Sequence, residues 1–303
     1  LGITGDTDYA KAYKPMFVDM PKIDAPLLYR RPAHESVDDV INRCVRQLED
    51  TIIAQGPETV LAFMIEPVGG VSTGALMSPV DYYDRCRQIC DRYGVLMIYD
   101  EIMSGAGRTG RFLAAHHWPD CRPDIVTLAK GVSGSYAPLG AVLASSAMVN
   151  DVRLSGGFKH GHTYSANPLG CAASNMVLQV LEDEALMPRA TLLGERIRTR
   201  LEDLKSRTRV IGDIRGIGLH MAVEIVVDKD TKEIFTDEVR ASEKIGLLCR
   251  EYGLLLFSRR TAGAAYGEWL MFCPPLTISD AEVEEMLAAF EKGVFAFQNS
   301  VCS

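Results

Sequence analysis

Three side chains in this sequence are spaced so that they could do chemistry together: Glu66, Asp100 and Lys130. Each follows a short apolar run: TVLAFMI before Glu66, VLMIY before Asp100 and IVTLA before Lys130. A lysine at the end of an apolar strand is partly desolvated, which disfavours the ammonium and frees the amine as a nucleophile. A carboxylate in the same position needs a cation or hydrogen-bond donors to offset its burial. Further on, HGHTYSANPLGCAA (residues 160–173) sets the Thr163 and Ser165 hydroxyls just ahead of a helix, where hydroxyls and free N–H groups suit a phosphate. Taken singly, each has a plainer explanation. Lys130 is then a surface lysine, Asp100 a helix cap or an ion-pair partner of Arg108, and the hydroxyls an ordinary N-cap.

The elements around these residues explain why they should meet. Residues 36–53 carry apolar side chains near the 3.6 period behind Ser36, an N-cap followed by Asp38 and Asp39. Residues 59–65 read as a strand buried on both faces. Ser78-Pro79 opens a second helix, with Ser78 as its cap and Tyr83, Cys86, Cys90 and Tyr93 on its buried face, and Gly94 closes it. Strands follow at 95–99, 124–129 and 138–144, the last leading into a short helix. Alternating strands and helices predict an α/β fold with a mostly parallel central sheet and helices on both faces. Ligands of such sheets bind beyond the carboxyl ends of the strands, so Glu66, Asp100 and Lys130 should share one rim.

After Pro168 a helical stretch runs to about residue 204, with a break near Met187-Pro188. Strands at 210–215 and 219–227, a helix at 237–252 and strands near Leu254 and Leu270 come next. A last helix starts at the Ser279/Glu282 capping box. This pattern divides the chain into a large unit at 1–183 and a smaller C-terminal α+β unit at 184–303.

The net charge of −8 argues against nucleic acid or an anionic membrane as the main partner. No apolar run reaches the roughly 20 residues a membrane-spanning helix needs, and no secretory leader opens the chain. Eight scattered cysteines without a C-x-x-C pair point to reduced thiols and a cytoplasmic location. Cys86 and Cys90 share one helical face and read as packing residues, and no metal site is expected.

Read jointly, FMIEPVGG, YDEIMSGAGRTGRF, PDIVTLAKGVSGSYAPLGAV and HGHTYSANPLGCAA resemble, in order and spacing, the class III aminotransferases. This is a fold-type-I group that uses pyridoxal 5'-phosphate and includes omega-amino-acid and amine:pyruvate transaminases. The resemblance covers essentially the whole chain. It implies that Lys130 forms the Schiff base with the cofactor and moves the proton, and that Asp100 pairs with the pyridine nitrogen. Ile102 would pack on the ring, and Glu66 would lie on the cofactor's hydroxyl side. Thr163 would bind the phosphate of a neighbouring subunit, making the site a property of a homodimer. The implied reaction is ping-pong transfer from an amine or omega-amino acid to a 2-oxo acid.

Four departures from the family pattern stand out. The glycine/serine-rich phosphate turn and stacking aromatic of relatives do not appear in residues 1–35, so the chain reads as N-terminally truncated. Met103 stands where many relatives have glutamine, and a thioether cannot donate a hydrogen bond. Val71 replaces a second glutamate of the glutamate-using relatives, which favours a pyruvate- or glyoxylate-type acceptor over 2-oxoglutarate. Arg259 and Arg260 precede the loop TAGAAYGEW, which is longer than expected, and either is a candidate to grip the substrate carboxylate. Rival readings are a decarboxylase or aminomutase of the same family, or a catalytically incomplete fragment.

Overall fold

The computed structural model describes residues 2–261, 263 and 265–301. It contains two four-stranded sheets. A short helix α1 (Thr7–Tyr13) opens the chain, and α2 (Val37–Gln55) follows. The Ser36 hydroxyl accepts the Asp39 N–H while the Asp39 carboxylate accepts the Ser36 N–H, a closed capping box. α2 buries Val40, Ile41, Cys44, Leu48 and Ile52 against α3 (Val80–Tyr93) and the first sheet.

That sheet runs in the order β1 (Ala62–Ile65), β2 (Leu96–Asp100), β3 (Ile125–Leu128), β4 (Ala141–Ala144). β1, β2 and β3 are mutually parallel and β4 is antiparallel to β3, so the sheet is mixed and mostly parallel. The register sets Ile65 beside Tyr99 and Asp100 beside Thr127. The three parallel strands therefore end on one rim.

β1 departs from the expectation of a doubly buried strand at 59–65. It is an edge strand of four half-buried residues, and Leu61 just before it is 77% exposed. Pro57 turns residues 57–59 into a 3-10 turn, which shortens the strand. Nor does Ser78 cap α3. Pro79 holds the cap position without a side-chain bond, while the Ser78 N–H donates to Tyr83 Oη, which itself donates to Pro67 O at 2.7 Å.

α4 (Ser146–Leu154) and α5 (Pro168–Asp183) complete the first half of the chain, with Asn167 capping α5 through the Leu169 and Gly170 N–H groups. The helical break falls at Glu184-Ala185 rather than at Met187-Pro188. Pro188 lies in the first turn of α6 (Leu186–Arg207), where no amide hydrogen is required.

The second sheet is antiparallel, in the order β5 (Ile211–Ile217), β6 (His220–Ile225), β8 (Glu268–Phe272), β7 (Phe257–Arg260). Every residue of β6 and β8 is buried, beneath α6, α7 (Ala241–Glu251) and α8 (Asp280–Val301). α7 starts four residues later than expected, after Arg240 in a left-handed conformation. The strand near Leu254 begins at Phe257. Ser279 and Glu282 form the expected capping box on α8. Among the described residues no helix is long and apolar enough to cross a membrane. Cys44, Cys86, Cys90, Cys121 and Cys249 are buried free thiols, and Cys302 lies outside the described residues.

Candidate active site

Beyond the carboxyl ends of β2 and β3 lies a cavity of about 790 Å³. Lys130 lines it, together with Ile102, Met103, Arg108, Tyr136, His220 and Cys273. α5 and residues 275–277 supply an apolar wall that includes Val177, Val180 and Leu276. Lys130 opens a single 3-10 turn (Lys130–Ser133) two residues after β3, with φ +46. That left-handed backbone, which L-residues adopt at a cost of about 1–2 kcal/mol, turns the chain sharply off the sheet.

Asp100 ends β2, half-buried, and its Oδ1 accepts the Ile102 N–H at 3.0 Å. No cationic side chain among the described residues is ion-paired with it. The Arg108 partnership considered from the sequence is not formed, because that guanidinium donates to the carbonyls of Leu219 and Pro274. Thr127, beside Asp100 in the register, has a buried hydroxyl with no partner among the described residues. The rim therefore holds two polar side chains left incompletely satisfied by the protein.

Glu66 follows β1 within electrostatic reach of both Asp100 and Lys130. Burial pushes its carboxyl up to about 6, opposed by a hydrogen bond from the Gly70 backbone; Asp100 raises it further and Lys130 lowers it. A Cβ at Gly70 would stand 2.7 Å from Glu66 Oε1 and 2.9 Å from Met103 Sδ, so both side chains would have to shift. Glu101, fully buried, accepts the Ala114 and Ala115 N–H groups at 2.5 and 2.9 Å, fixing the loop that follows β2.

Thr163 and the two arginines lie away from the cavity. Thr163 is exposed in a turn that ends before Asn167, so neither it nor Ser165 caps α5. Arg259 pairs with the buried Asp6 at 2.7 Å. Arg260 pairs with Asp237 at 2.9 Å and Glu268 at 3.5 Å and donates to Phe235 O. Both forks are thus turned toward the chain's own acceptors. Ala262 and Ala264 of the following loop lie outside the described residues.

Arg108, His220 and Cys273 were not singled out from sequence as cavity residues. The β5–β6 turn brings two of them together. Gly218, at φ +59, packs so closely on residues 108 and 109 that a Cβ would stand 2.6 Å from the Thr109 carbonyl carbon, and the Leu219 N–H donates to Arg108 O. A histidine inside the apolar run LHMAVEI was the available signal.

A strand-end lysine thus lines the cavity, and the carboxylate that ends the neighbouring strand has no ion-paired cation among the described residues. Residues 1–294 match the family model for class-III aminotransferases. An uncharacterized aminotransferase, YodT of Bacillus subtilis, is 34% identical over 93% of this chain and 63% of its own length. Taurine–pyruvate aminotransferase of Bilophila wadsworthia is 32% identical over 92% of this chain and 61% of the relative. The solved omega transaminase of Pseudomonas jessenii, in complex with PMP, superposes with a TM-score of 0.88 at 28% identity, covering 99% of this chain and 65% of that one. The chain belongs to the class III aminotransferases, a pyridoxal-phosphate-dependent family with the fold-type-I architecture. It spans a little under two thirds of the length of these relatives.

Proposed function

We propose that the protein is a pyridoxal-phosphate-dependent transaminase that moves an amino group from an amine or omega-amino acid to a 2-oxo acid, with pyruvate as the preferred acceptor. The observation that carries this reading is Lys130 in a cavity at the same rim as Asp100, which has no ion-paired cation among the described residues. The residues present fit the cofactor. When bound, its protonated ring acts as the electron sink for a carbanion at the substrate carbon. Lys130 Nζ would hold the cofactor between turnovers and would carry the transferred proton. Asp100 would keep the ring nitrogen protonated; at ~3 Å and an effective dielectric near 20 the attraction would be on the order of 5 kcal/mol before desolvation is subtracted. Ile102, which lines the cavity, would pack against one face of the ring, and the Glu66 carboxyl would order the hydroxyl side.

In this reading residues 1–183 bind the cofactor and 184–303 form the smaller unit. Thr163, exposed and remote from its own cavity, serves the phosphate of a second subunit in a homodimer. The buried free thiols suit a reducing compartment such as the cytoplasm. Val71 supports pyruvate because it offers no acid to switch a carboxylate-binding arginine. Its carbonyl is held by Trp269 Nε1 at 3.2 Å.

The test is borohydride reduction of cofactor-loaded protein followed by peptide mass spectrometry, with turnover of an amine donor and pyruvate measured in parallel. The adduct should map to Lys130. Lys130→Ala should lose the adduct and lower turnover by ~10³-fold or more. An adduct on another lysine, or release of carbon dioxide or a rearranged amine in place of the oxo product, would overturn the reading. Faster turnover with 2-oxoglutarate would overturn the choice of pyruvate.

A further inference from the structure

The loop after β1 is held from the second sheet by its carbonyls. Arg215 of β5 donates to Gly74 O at 2.6 Å through Nε and to Thr73 O at 3.3 Å through Nη2. Trp269 of β8 donates to Val71 O at 3.2 Å, and His220 of β6 reaches Gly69 O at 2.9 Å. The loop also closes on itself, with the Gly69 N–H on Leu76 O and the Gly74 N–H on Gly70 O. Its own bonds set its shape, and the three side chains set where that shape sits against the second sheet.

The part that His220 holds is the part that meets Glu66. The Gly69 carbonyl and the Gly70 N–H belong to one peptide group, planar and trans, so its two ends point in opposite directions. One end meets His220 Nε2, and the other makes the hydrogen bond that favours the ionised form of Glu66. Arg215 and Trp269 act on peptide groups farther along the loop. His220 is fully buried. A carbonyl only accepts, so the ring proton sits on Nε2, and Nδ1 has no partner among the described residues. Burial, with Arg108 and Lys130 nearby, pushes its pKa down to about 4 despite the Gly69 bond, so the ring is neutral near pH 7. Around Glu66, the Gly70 N–H and the Lys130 charge favour the carboxylate, whereas burial and Asp100 oppose it.

We infer that His220 is a positioning residue for Glu66, acting through the single peptide group that joins Gly69 to Gly70. Nε2 fixes the direction of the carbonyl, and the rigid peptide converts that into a direction for the N–H. Polarisation adds to the effect, because a carbonyl that accepts a hydrogen bond makes the N–H of the same peptide a stronger donor. A side chain of the second sheet thereby sets how readily a carboxyl at the rim of the first gives up its proton. The consequence for turnover rests on the transaminase reading; the relay itself does not.

The experiment follows Glu66 in cofactor-free protein by carbon-13 NMR of glutamate carboxyls against pH, its signal identified by its loss in Glu66→Gln. Wild-type Glu66 should titrate near pH 6. His220→Asn keeps an amide but falls short of Gly69 O, and the Glu66 midpoint should then rise by roughly 1 pH unit. His220→Gln, whose amide nitrogen can take the place of Nε2, should restore most of the wild-type midpoint. A midpoint in His220→Asn that stays or falls would overturn the inference, and so would a glutamine variant no nearer wild type than the asparagine one. Two measurements on wild-type protein stand even where a variant fails to fold. Nitrogen-15 shifts of the His220 ring should show the proton on Nε2, and the Gly70 amide should titrate with the Glu66 midpoint. A proton on Nδ1, or a flat Gly70 response, would equally defeat the relay. In cofactor-loaded protein the pH profile of turnover should move with the Glu66 midpoint in His220→Asn; an unmoved profile would overturn the consequence for turnover. Loaded protein inactive at every pH, with the Glu66 shift intact, would sink the transaminase reading and leave the relay standing.

Discussion

In the second sheet both buried carboxylates are met by the protein itself. Glu224 lies between Arg30 and Arg215, and Glu268 faces Arg260 and the Ser242 N–H. At the rim of the first sheet, Asp100 has an amide but, among the described residues, no cation, Thr127 has no hydroxyl partner among them, and Lys130 lines a cavity. The same residue types therefore serve two ends. The buried acids of the second sheet lie against cations, whereas Glu101 and Asp100 at the first rim are met by backbone amides. The burial patterns agree: β6 and β8 are buried throughout, while β1 is half-buried and β4 mostly exposed.

The strongest way to break this contrast is to neutralise one acid in each sheet. Glu224→Ala strands two arginines and should cost about 3–5 kcal/mol in denaturant unfolding. Asp100→Asn should leave the stability of the cofactor-free protein within about 1 kcal/mol yet weaken cofactor binding by roughly 10²–10³-fold, as read by titration. A large loss of stability in Asp100→Asn would mean that this carboxylate is structural too.

The next effect is in the pH dependence of stability. His220 has its pKa lowered from 6.5 to about 4 on folding, so the unfolded chain binds the extra proton between those values. Its contribution of about 3 kcal/mol is complete above pH 6.5 and is lost as pH falls toward 4. Glu66, raised from 4.5 to about 6, has the opposite sign. Its contribution of about 2 kcal/mol is complete below pH 4.5 and is lost as pH rises through 6. Unfolding curves from pH 4 to 8 should show His220→Met flattening the acid limb. Glu66→Gln should gain stability over wild type at pH 7 and lose that advantage at pH 4.5. Parallel curves for wild type and both variants would show that neither group titrates in this window.

The smallest expected effect tests the scaffold under the cavity. Asn167→Ala removes the cap of α5 and should cost about 1 kcal/mol by chemical denaturation, with no change in the slope of stability against pH.

What the sequence disclosed, and what it hid, follows the range of the interactions involved. Ser36 with Asp39 and Ser279 with Glu282 were legible because a capping box is local. The strand-end positions of Lys130 and Asp100 were legible because each terminates an apolar run. The partners of Arg259 and Arg260 were hidden: Asp6 is more than 250 residues away in the chain, and nothing local marks it as the counter-ion. Arg108 and His220 were missed as a pair because only the close approach of the Gly218 turn makes them neighbours. The edge position of β1 was also out of reach, since strand order is a property of the assembled sheet.

Lys130 sits on a left-handed residue, and handedness therefore acts as an address. Ala129 before it is extended, at φ −159 and ψ −155, and the chain reverses its twist for one residue before the 3-10 turn. A side chain mounted there departs in a direction that neither the strand nor the turn would give it. Inserting or deleting a single residue between β3 and Gly134 would leave every functional group in the chain and yet deliver the amine to the wrong place.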